Sequence, residues 1–236
     1  MQTRGPLPID PPGDGRATSR SDLGDRAGAR VLRRGGPDDI RPVARLIATA
    51  YTPLDVSAWL VPDAAARTRI MTDYVTILVE HAWRYGQLWL VDGAGTVDAA
   101  AVWLHRIRPV PPRTTDLPAL ARVTAPWTGR FDELHAVLDL HQPGGPHHRL
   151  MFLAVRPGLH QTGLGTALLA HADRRLDYHR VPAYAVAGTA GSRDLLARHG
   201  YRVGDPVEAP DDGPPHWPMR RPPRRPPEPR RPSSSS

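Results

Sequence analysis

The sequence predicts a fold of the α/β class, in which short apolar strands alternate with amphipathic helices. The clearest signal is the continuous apolar run Leu150 to Val155, typical of a strand covered on both faces, which Arg156-Pro157-Gly158 stops. The segment that follows has an apolar residue at every fourth position: Leu164, Leu168, Ala172 and Leu176. That spacing predicts a helix, so the stretch reads strand, loop, helix.

The two ends of the chain are predicted to lie outside the folded domain. Residues 1–29 are rich in Gly, Pro, Asp, Arg and Ser, so they cannot bury enough apolar surface to offset the loss of chain entropy. Residues 223–236 are rich in Pro and Arg and end in four serines, a composition typical of an extended, mobile tail. We therefore expect one domain over residues 30–222, with disorder on either side.

The first half of the domain predicts a strand and two helices. The segment Arg30 to Arg34 is predicted to be the first strand, and Pro37-Asp38-Asp39 starts a helix that runs to about Tyr51. Pro62-Asp63 opens a second helix, which Gly86 ends. The predicted buried faces are Val43, Leu46, Ile47 and Ala50 on the first helix, and Ile70, Tyr74, Ile77, Leu78 and His81 on the second. Because His81 lies among apolar neighbours, a hydrogen-bonded structural histidine is expected rather than a catalytic one.

The middle of the chain predicts a hairpin followed by irregular and helical segments. Two apolar runs, Gln87 to Asp92 and Thr96 to Arg106, are joined by Gly93-Ala94-Gly95 and predict a β-hairpin. The Pro-rich stretch Arg108 to Thr115 is expected to be irregular. Two helices are expected after it, Leu117 to Arg122 and Arg130 to His141.

Charge and composition exclude several classes of protein. The formal net charge is +7, but six Arg and one Glu lie in residues 218–236, which leaves +2 for the rest of the chain. That tail has no interleaved aromatic residues, so no nucleic-acid partner is predicted. The absence of cysteine excludes disulfides, thiolate nucleophiles and cysteine metal ligands. No run of about 20 apolar residues and no export signal is present, so we expect a cytoplasmic protein without a membrane partner.

The loop between the strand and the helix is a predicted anion site. The first turn of a helix leaves backbone N–H groups unpaired and carries the positive end of the helix dipole. Gly163 and Gly165 lack the Cβ atoms that would hold a phosphate off the backbone, and residues 161–166 can turn several amides toward a pyrophosphate. The dinucleotide fingerprint fails at Leu168, and a P-loop fails at Leu164, where lysine is required. An ordinary tight turn is the alternative interpretation.

This loop resembles the signature of the GNAT superfamily of N-acetyltransferases, a strand ending V-x-P followed after two residues by Q/R-G-x-G-x-G/A. Four residues match in register: Val155, Pro157, Gly163 and Gly165. Two depart, since His160 stands where Gln or Arg is usual and Gln161 replaces the first glycine. Residues 181–219 are most similar to the puromycin N-acetyltransferase type of actinobacteria, and the whole resemblance covers roughly residues 30–219.

The resemblance implies a mixed, mostly antiparallel central sheet of about six to seven strands flanked by helices. It also implies acetyl-CoA as the acyl donor. The end of the central strand would pair with the pantetheine and polarise the thioester carbonyl, through Leu153, Ala154 and Val155. The loop amides would hold the coenzyme A pyrophosphate, and the residues concerned are His160, Gln161, Thr162, Gly163, Leu164, Gly165 and Thr166.

The reaction implied by the resemblance is direct attack of a primary amine of a small molecule on the acetyl thioester, by a monomer or a homodimer. The tyrosine that commonly serves as the acid is missing, because Leu196 stands at its position, while Ser192 stands at the usual Asn position. The glutamate that often follows the fifth strand's aromatic residue is replaced by Val186. Ser192 and Tyr178 are the candidate substitutes for this acid. The alternative function is a GNAT-fold protein whose degenerate site binds acyl-CoA for another acyl reaction or without turnover.

Three histidines, His141, His147 and His148, lie within eight residues of one another. Their spacing fits no known ligand pattern, and His147 and His148 begin the central strand with side chains on opposite faces, so no metal site is predicted. An imidazole has an ordinary pKa near 6.5, so His147 or His148 is a hypothesis for the base that accepts the amine proton. Plain solvated residues at the strand entry are the alternative interpretation.

Overall fold

The computed structural model describes residues 30–107, 116–210 and 213–224. The expected disorder of residues 1–29 and of the tail from residue 225, and the irregular stretch 108–115, lie outside the described residues and stay predictions. The helices are α1 (Ile40–Tyr51), α2 (Asp55–Leu60), α3 (Ala64–Tyr85), α4 (Leu117–Thr124), α5 (Thr128–Leu140), α6 (Leu164–His179) and α7 (Ala190–Arg198). The strands are β1 (Val31–Arg34), β2 (Gly86–Gly93), β3 (Thr96–Arg106), β4 (His147–Val155), β5 (Ala183–Ala187), β6 (Arg202–Val203), β7 (Val207–Glu208) and β8 (Pro215–Arg221).

The described strands form one eight-stranded sheet in the order β1-β2-β3-β4-β5-β8-β6, and β7 also pairs with β8. Neighbouring strands run antiparallel, except for β4 and β5, which run parallel. The predicted fold class is confirmed, since this is a mixed, mostly antiparallel sheet flanked by helices. The two-residue strands β6 and β7 bring the count above the six to seven strands expected.

Local signals in the sequence explain where the early elements begin and end. A 3-10 turn at Pro37–Asp39 leads directly into α1, and the Asp63 carboxylate caps α3 by accepting from the Ala65 N–H at 2.9 Å. The β2–β3 hairpin closes with Gly95 at a φ of 79°, a backbone conformation that favours glycine. His81 is buried, with its Nδ1 3.1 Å from the Asp116 carboxylate, so it is the structural histidine that its apolar setting predicted.

The sheet buries one apolar cluster on each face. Helices α1 and α3 cover one face, where Ile47 and Ile70 are fully buried, and we call this the α1 face. Helices α6 and α7 cover the other, the α6 face. All four residues of the predicted fourfold spacing in α6 lie in that second cluster: Leu164, Leu168, Ala172 and Leu176.

Strands β4 and β5 pair over a short length and then separate. Residues His148–Leu150 pair with Ala183–Ala185, whereas β4 continues to Val155 and β5 to Ala187. Against β3, the register of β4 shifts between Val102 and Trp103, because Met151 is an extra residue that forms a β-bulge. We call the paired part the closed end, and the gap that residues 151–155 and 186–187 border the open end.

The last strand is fastened to α6 by buried charges. Arg221, only 2% exposed, donates to both carboxylate oxygens of Asp177 at 2.8 and 2.7 Å. The backbone N–H of Arg224 donates to Asp177 at 2.7 Å, so the chain stays packed two residues past the predicted domain end at 222. In the described part of the chain, none of the helices combines the length and apolar character needed to cross a membrane.

Candidate active site

The loop before α6 has the backbone shape of an anion site. Gly163, the N-cap of α6, has a φ of 87°, and Gln161 also has a positive φ, of 61°. A Cβ on Gly163 would meet no atom within 4 Å, so the position is open to a ligand. No side chain caps the helix, and the first turn therefore keeps its N–H groups for an anion.

Gly165 serves a different purpose from the one predicted. A Cβ there would lie 3.3 Å from Leu195 Cδ2 and 3.8 Å from Val155 Cγ2. The glycine thus lets the start of α6 pack closely on α7 and on the end of β4. Of the two glycines, Gly163 faces open space and Gly165 faces the core, so the idea that both clear room for a phosphate is corrected for Gly165.

Two side-chain hydrogen bonds order the loop, and one of them ties it to the strand that precedes it. The exposed His160 ring donates from Nε2 to the carbonyl oxygen of Val155 at 3.2 Å. The Thr162 hydroxyl donates to the Leu159 carbonyl oxygen at 2.7 Å. The His160 bond holds the loop against the end of β4 and the Thr162 bond closes a turn within it, so the loop is connected directly to the open end.

The end of β4 presents backbone groups to the open end. The Arg156 N–H donates to the Asp98 carbonyl oxygen on the β3 side at 2.8 Å. Because strand residues alternate in the edge they address, Ala154 also faces β3, while Leu153 and Val155 turn their N–H and C=O groups toward the gap. An extended ligand with amide groups can therefore pair with β4 where β5 has moved away.

Tyr51, the last residue of α1, reaches this strand from the α1 face, and sequence reasoning missed it. Its hydroxyl donates to the Leu153 carbonyl oxygen at 3.4 Å, and its ring packs edge-on against Phe152 at 5.7 Å between centroids. Burial raises the pKa of the Tyr51 hydroxyl, so the group is a proton-bearing donor at neutral pH. A tyrosine at a helix end is also a common core residue, so its sequence position alone carries no signal.

The structure places the missing-acid position, Leu196, and the two proposed substitutes, Ser192 and Tyr178, in different settings. Leu196 is 4% exposed within the apolar cluster of the α6 face. The Ser192 hydroxyl donates to the Thr189 carbonyl oxygen at 2.9 Å and forms a capping box with Thr189. Tyr178 is 82% exposed near the end of α6. The structure thus uses Ser192 to start α7, and its catalytic role stays a prediction.

The two strand-entry histidines lie at the closed end, on opposite faces as their adjacency predicted. His148 stacks on His105 on the α6 face, with 4.1 Å between ring centroids, and burial, reinforced by neighbouring cationic groups, lowers its pKa to about 3. His147 is 2% exposed and lies beside Tyr184 on the other face. Leu150, which still pairs with β5, lies between both histidines and the open end. The structure therefore does not bring them to residues 153–155, where the thioester is expected to bind. Within the described ranges, no three His, Asp or Glu side chains come together as metal ligands.

His216 of β8 is a second residue that the sequence reasoning missed. Trp217 and Met219 pack on the α6 face, so strand alternation places His216 on the α1 face. It lies beside the end of β5, because a Cβ on Gly188 would be 3.8 and 3.9 Å from His216 Cδ2 and Nε2. The ring is 6% exposed, and its Nδ1 donates to the Pro214 carbonyl oxygen at 2.8 Å.

Aromatic side chains line the α1 face around these groups. Trp59 of α2 packs against the turn before β8, since a Cβ on Gly213 would lie 3.1 Å from its ring. The Arg130 guanidinium lies 5.7 Å from the centre of the Trp59 ring and donates to the Trp59 carbonyl oxygen. Trp127 belongs to the same partly buried layer. This part of the α1 face is therefore largely apolar and aromatic.

Comparison with solved structures places this fold among acetyltransferases. A Corynebacterium glutamicum protein described as histone acetyltransferase HPA2 and related acetyltransferase superposes with a TM-score of 0.64, at 20% identity over 84% of this chain and 98% of that one. An agmatine N-acetyltransferase gives a TM-score of 0.57, at 14% identity over 81% and 98%. A Drosophila melanogaster polyamine N-acetyltransferase gives 0.51, at 17% identity over 81% and 97%. No protein-family model and no curated protein sequence matches the chain. The chain thus has the fold of GNAT acetyltransferases.

Proposed function

We propose that this protein moves an acetyl group from acetyl-CoA to a primary amine of a small molecule. The observation that carries the proposal is the direct connection between two backbone surfaces, the open end of β4–β5 and the uncapped start of α6. One surface suits an extended chain with amide groups, and the other suits a pyrophosphate. Coenzyme A contains both parts in the same order, and the shared fold of three acetyltransferases supports the assignment.

The residues that would hold acetyl-CoA are mostly backbone groups. Amides of residues 161–166 would bind the pyrophosphate, and the gap-facing groups of Leu153 and Val155 would pair with the pantetheine. The bound thioester supplies an activated acetyl group and a thiolate leaving group. An N–H of β4 directed at the thioester oxygen would stabilise the charge that develops there when an amine attacks.

The amine acceptor would enter from the α1 face, where Tyr51, Trp59 and Trp127 provide an apolar and aromatic wall. A small amine with an apolar or aromatic body fits such a wall better than a polyanion does. We further propose, on the similarity of residues 181–219, that the chain is nearest to the puromycin N-acetyltransferase type. It would act in the cytoplasm, as a monomer or homodimer, without a nucleic-acid or membrane partner.

A second function is favoured by one observation, the apolar replacement of two polar groups of the GNAT pattern. Leu196 stands at the usual tyrosine position and is buried, and Val186 stands at the usual glutamate position on the border of the open end. A site without these groups is suited to bind acyl-CoA for another acyl reaction, or without turnover. Thiol release that depends on an amine separates the two functions, because a protein that only binds acyl-CoA, or that uses another acceptor, releases no coenzyme A in response to an amine.

The test is to incubate the purified protein with acetyl-CoA and a panel of primary amines, measuring free thiol and the mass of the product. The panel should include agmatine, polyamines and arylalkylamines such as 2-phenylethylamine. We expect thiol release that depends on an amine and matches acetylated product in amount. Binding of coenzyme A without thiol release for any amine would favour the second function, and absence of binding would contradict both.

A further inference from the structure

We infer that His216 is the base that removes the proton from the attacking amine. The inference rests on the proposed acetyl transfer and assigns a catalytic residue within it. Three observations carry it: the place of His216 beside the open end, the tautomer that its hydrogen bond fixes, and the state of its second ring nitrogen.

The place of the ring follows from β8. His216 lies opposite Gly188, the first residue after β5, and Ala187, the last residue of β5, pairs with the neighbouring Trp217. It is on the α1 face, from which the amine would enter. The ring therefore lies beside the end of β5, the strand that borders the open end opposite β4.

The tautomer follows from the Pro214 bond. A carbonyl oxygen only accepts hydrogen bonds, so the Nδ1 atom that lies 2.8 Å from it carries the proton. In a neutral ring the other nitrogen, Nε2, then holds a lone pair. No described residue bonds Nε2, and the atom is not fully enclosed, unlike the Nε2 of His147. The lone pair is thus accessible to a proton donor.

The surroundings keep this ring neutral. Burial, the larger influence, lowers the pKa of His216 from its ordinary value, although the Pro214 bond opposes it. Of the neighbouring charges, Glu208 in β7 is exposed and pairs with Pro215, and Arg193 lies over Trp217 on the opposite face. On the β5 side the ring faces Gly188, which carries no charge, and Asp211 and Asp212 lie outside the described residues. At neutral pH the ring is ready to accept a proton.

The step balances in atoms and charge. The amine nitrogen forms a bond to the acetyl carbon while the carbon–sulfur bond breaks, and that electron pair leaves with the sulfur. Starting from the ammonium form, the nitrogen loses two protons: the first passes to Nε2 of His216 and frees the lone pair for attack, and the second passes to the departing thiolate. The imidazolium then releases its proton to solvent, and the neutral ring is restored.

The test compares H216Q with the wild type across pH, using acetyl-CoA and 2-phenylethylamine, or the panel amine that reacts best. We expect kcat/KM to fall by about 10²-fold or more, the typical contribution of a positioned base. In the wild type, kcat/KM calculated on total amine should rise with pH only below about 6.5, where His216 loses its own proton. Above that pH it should stay level up to the pKa of the amine, because His216 takes the proton from the ammonium form. In H216Q it should instead rise about tenfold per pH unit up to the pKa of the amine, because only free amine reacts.

Controls separate a base from a structural residue. H141Q is the matched variant, since His141 also donates from Nδ1 to a carbonyl oxygen, that of Val137, at the end of α5, and its pH profile should equal that of the wild type. Coenzyme A should raise the melting temperature of H216Q as it does for the wild type. Added imidazole should restore part of the activity of H216A.

The outcomes distinguish the inference from the function on which it rests. A wild type that turns over, together with an H216Q variant of unchanged rate and profile, would overturn the role of His216 and leave acetyl transfer standing. A wild type that turns over no amine would overturn both. A slow H216Q that keeps the wild-type pH profile and an H216A that imidazole does not rescue would show a structural role, which also contradicts the inference.

Discussion

Two histidines of this protein share one local structure and differ in where the sheet puts them. His147 donates from Nδ1 to the Gly145 carbonyl oxygen and His216 to the Pro214 carbonyl oxygen, each two residues back and each at 2.8 Å. Both rings are buried on the same face, and burial lowers both pKa values. Yet His147 lies at the closed end with its Nε2 enclosed, whereas His216 borders the open end with its Nε2 accessible.

The difference teaches that tautomer and burial are insufficient to identify a catalytic histidine. What separates the two residues is the short pairing of β4 with β5, which ends at Leu150 and Ala185. Groups beside the paired strands are enclosed by the sheet, and groups beyond them border a gap that a ligand can fill. If this division holds, changes at the open end, H216Q included, should affect binding or rate, and changes at the closed end should affect stability.

The largest effect is expected for Gly163→Asp at the open end. The substitution puts a residue with a side chain at a φ of 87°, which favours glycine. It also places a negative charge where the pyrophosphate would bind. At about 100 times its dissociation constant, coenzyme A should stabilise the wild type by about 2.7 kcal/mol, and the variant by close to nothing. Thermal melting with and without coenzyme A measures this. Gly129→Asp in α5 is the control, and it should keep the ligand response.

A smaller effect on rate is expected for Tyr51→Phe, which removes the hydroxyl that reaches Leu153. Loss of one neutral hydrogen bond of about 1 kcal/mol predicts a decrease of about 5- to 10-fold in kcat, with coenzyme A affinity nearly unchanged. Steady-state kinetics with the best amine of the panel checks it. A variant as fast as the wild type would mean that Tyr51 only packs against Phe152.

Leu196→Tyr asks whether a proton donor on α7 still helps. If the hydroxyl reaches the departing sulfur, the rate of acetyl transfer should rise. Because Leu196 is buried, the larger side chain should also lower the free energy of unfolding by about 1–3 kcal/mol. Ser192→Ala removes the N3 half of the capping box, so it should reduce stability by about 1 kcal/mol and leave the rate unchanged. Rates and unfolding free energies of both variants are the readouts. A large loss of rate in Ser192→Ala with normal stability would instead assign the hydroxyl to catalysis.

At the closed end, His148→Phe should alter the pH dependence of stability and not the rate. The pKa of His148 is lowered to about 3, chiefly by burial, so between that value and about 6.5 the unfolded chain binds a proton that the folded chain does not. Unfolding free energy should therefore fall as pH decreases below about 6.5, and fall less in His148→Phe, which keeps a ring against His105. Denaturant unfolding at several pH values measures it, with H141Q as the control. Equal slopes in variant and wild type would contradict this assignment.

Much of the fold could be predicted from the sequence because its signals are local. The Asp63 cap, the Gly95 turn and the fourfold spacing of α6 each act within a few residues, and the structure confirms the elements they predicted. The order of strands and the separation of β4 from β5 depend on contacts between distant segments. At the sequence level the resemblance to a known family implies the mixed sheet and a central strand end free to pair with pantetheine, while periodicity implies neither and the strand order is not predicted.

The candidate site divides in the same way. The loop at Gly163 could be predicted, since a glycine pair at a helix start has a local backbone meaning. Tyr51 and His216 could not be predicted, because each contacts a residue far away in sequence. Tyr51 lies 102 residues before Leu153, and His216 lies 28 residues after Gly188. His147 and His148 were singled out because they are adjacent to the central strand in sequence, and the pairing at Leu150 keeps them from its open end.

The most direct test of the account is a crystal structure of the protein with acetyl-CoA bound. We predict the pyrophosphate on the amides of residues 161–166, the pantetheine paired with Leu153 and Val155 in the gap beside β4, and the acetyl group between Tyr51 and His216. A coenzyme bound elsewhere, or an acetyl group at the closed end beside His147, would contradict the claim that the separation of β4 from β5 makes the active site.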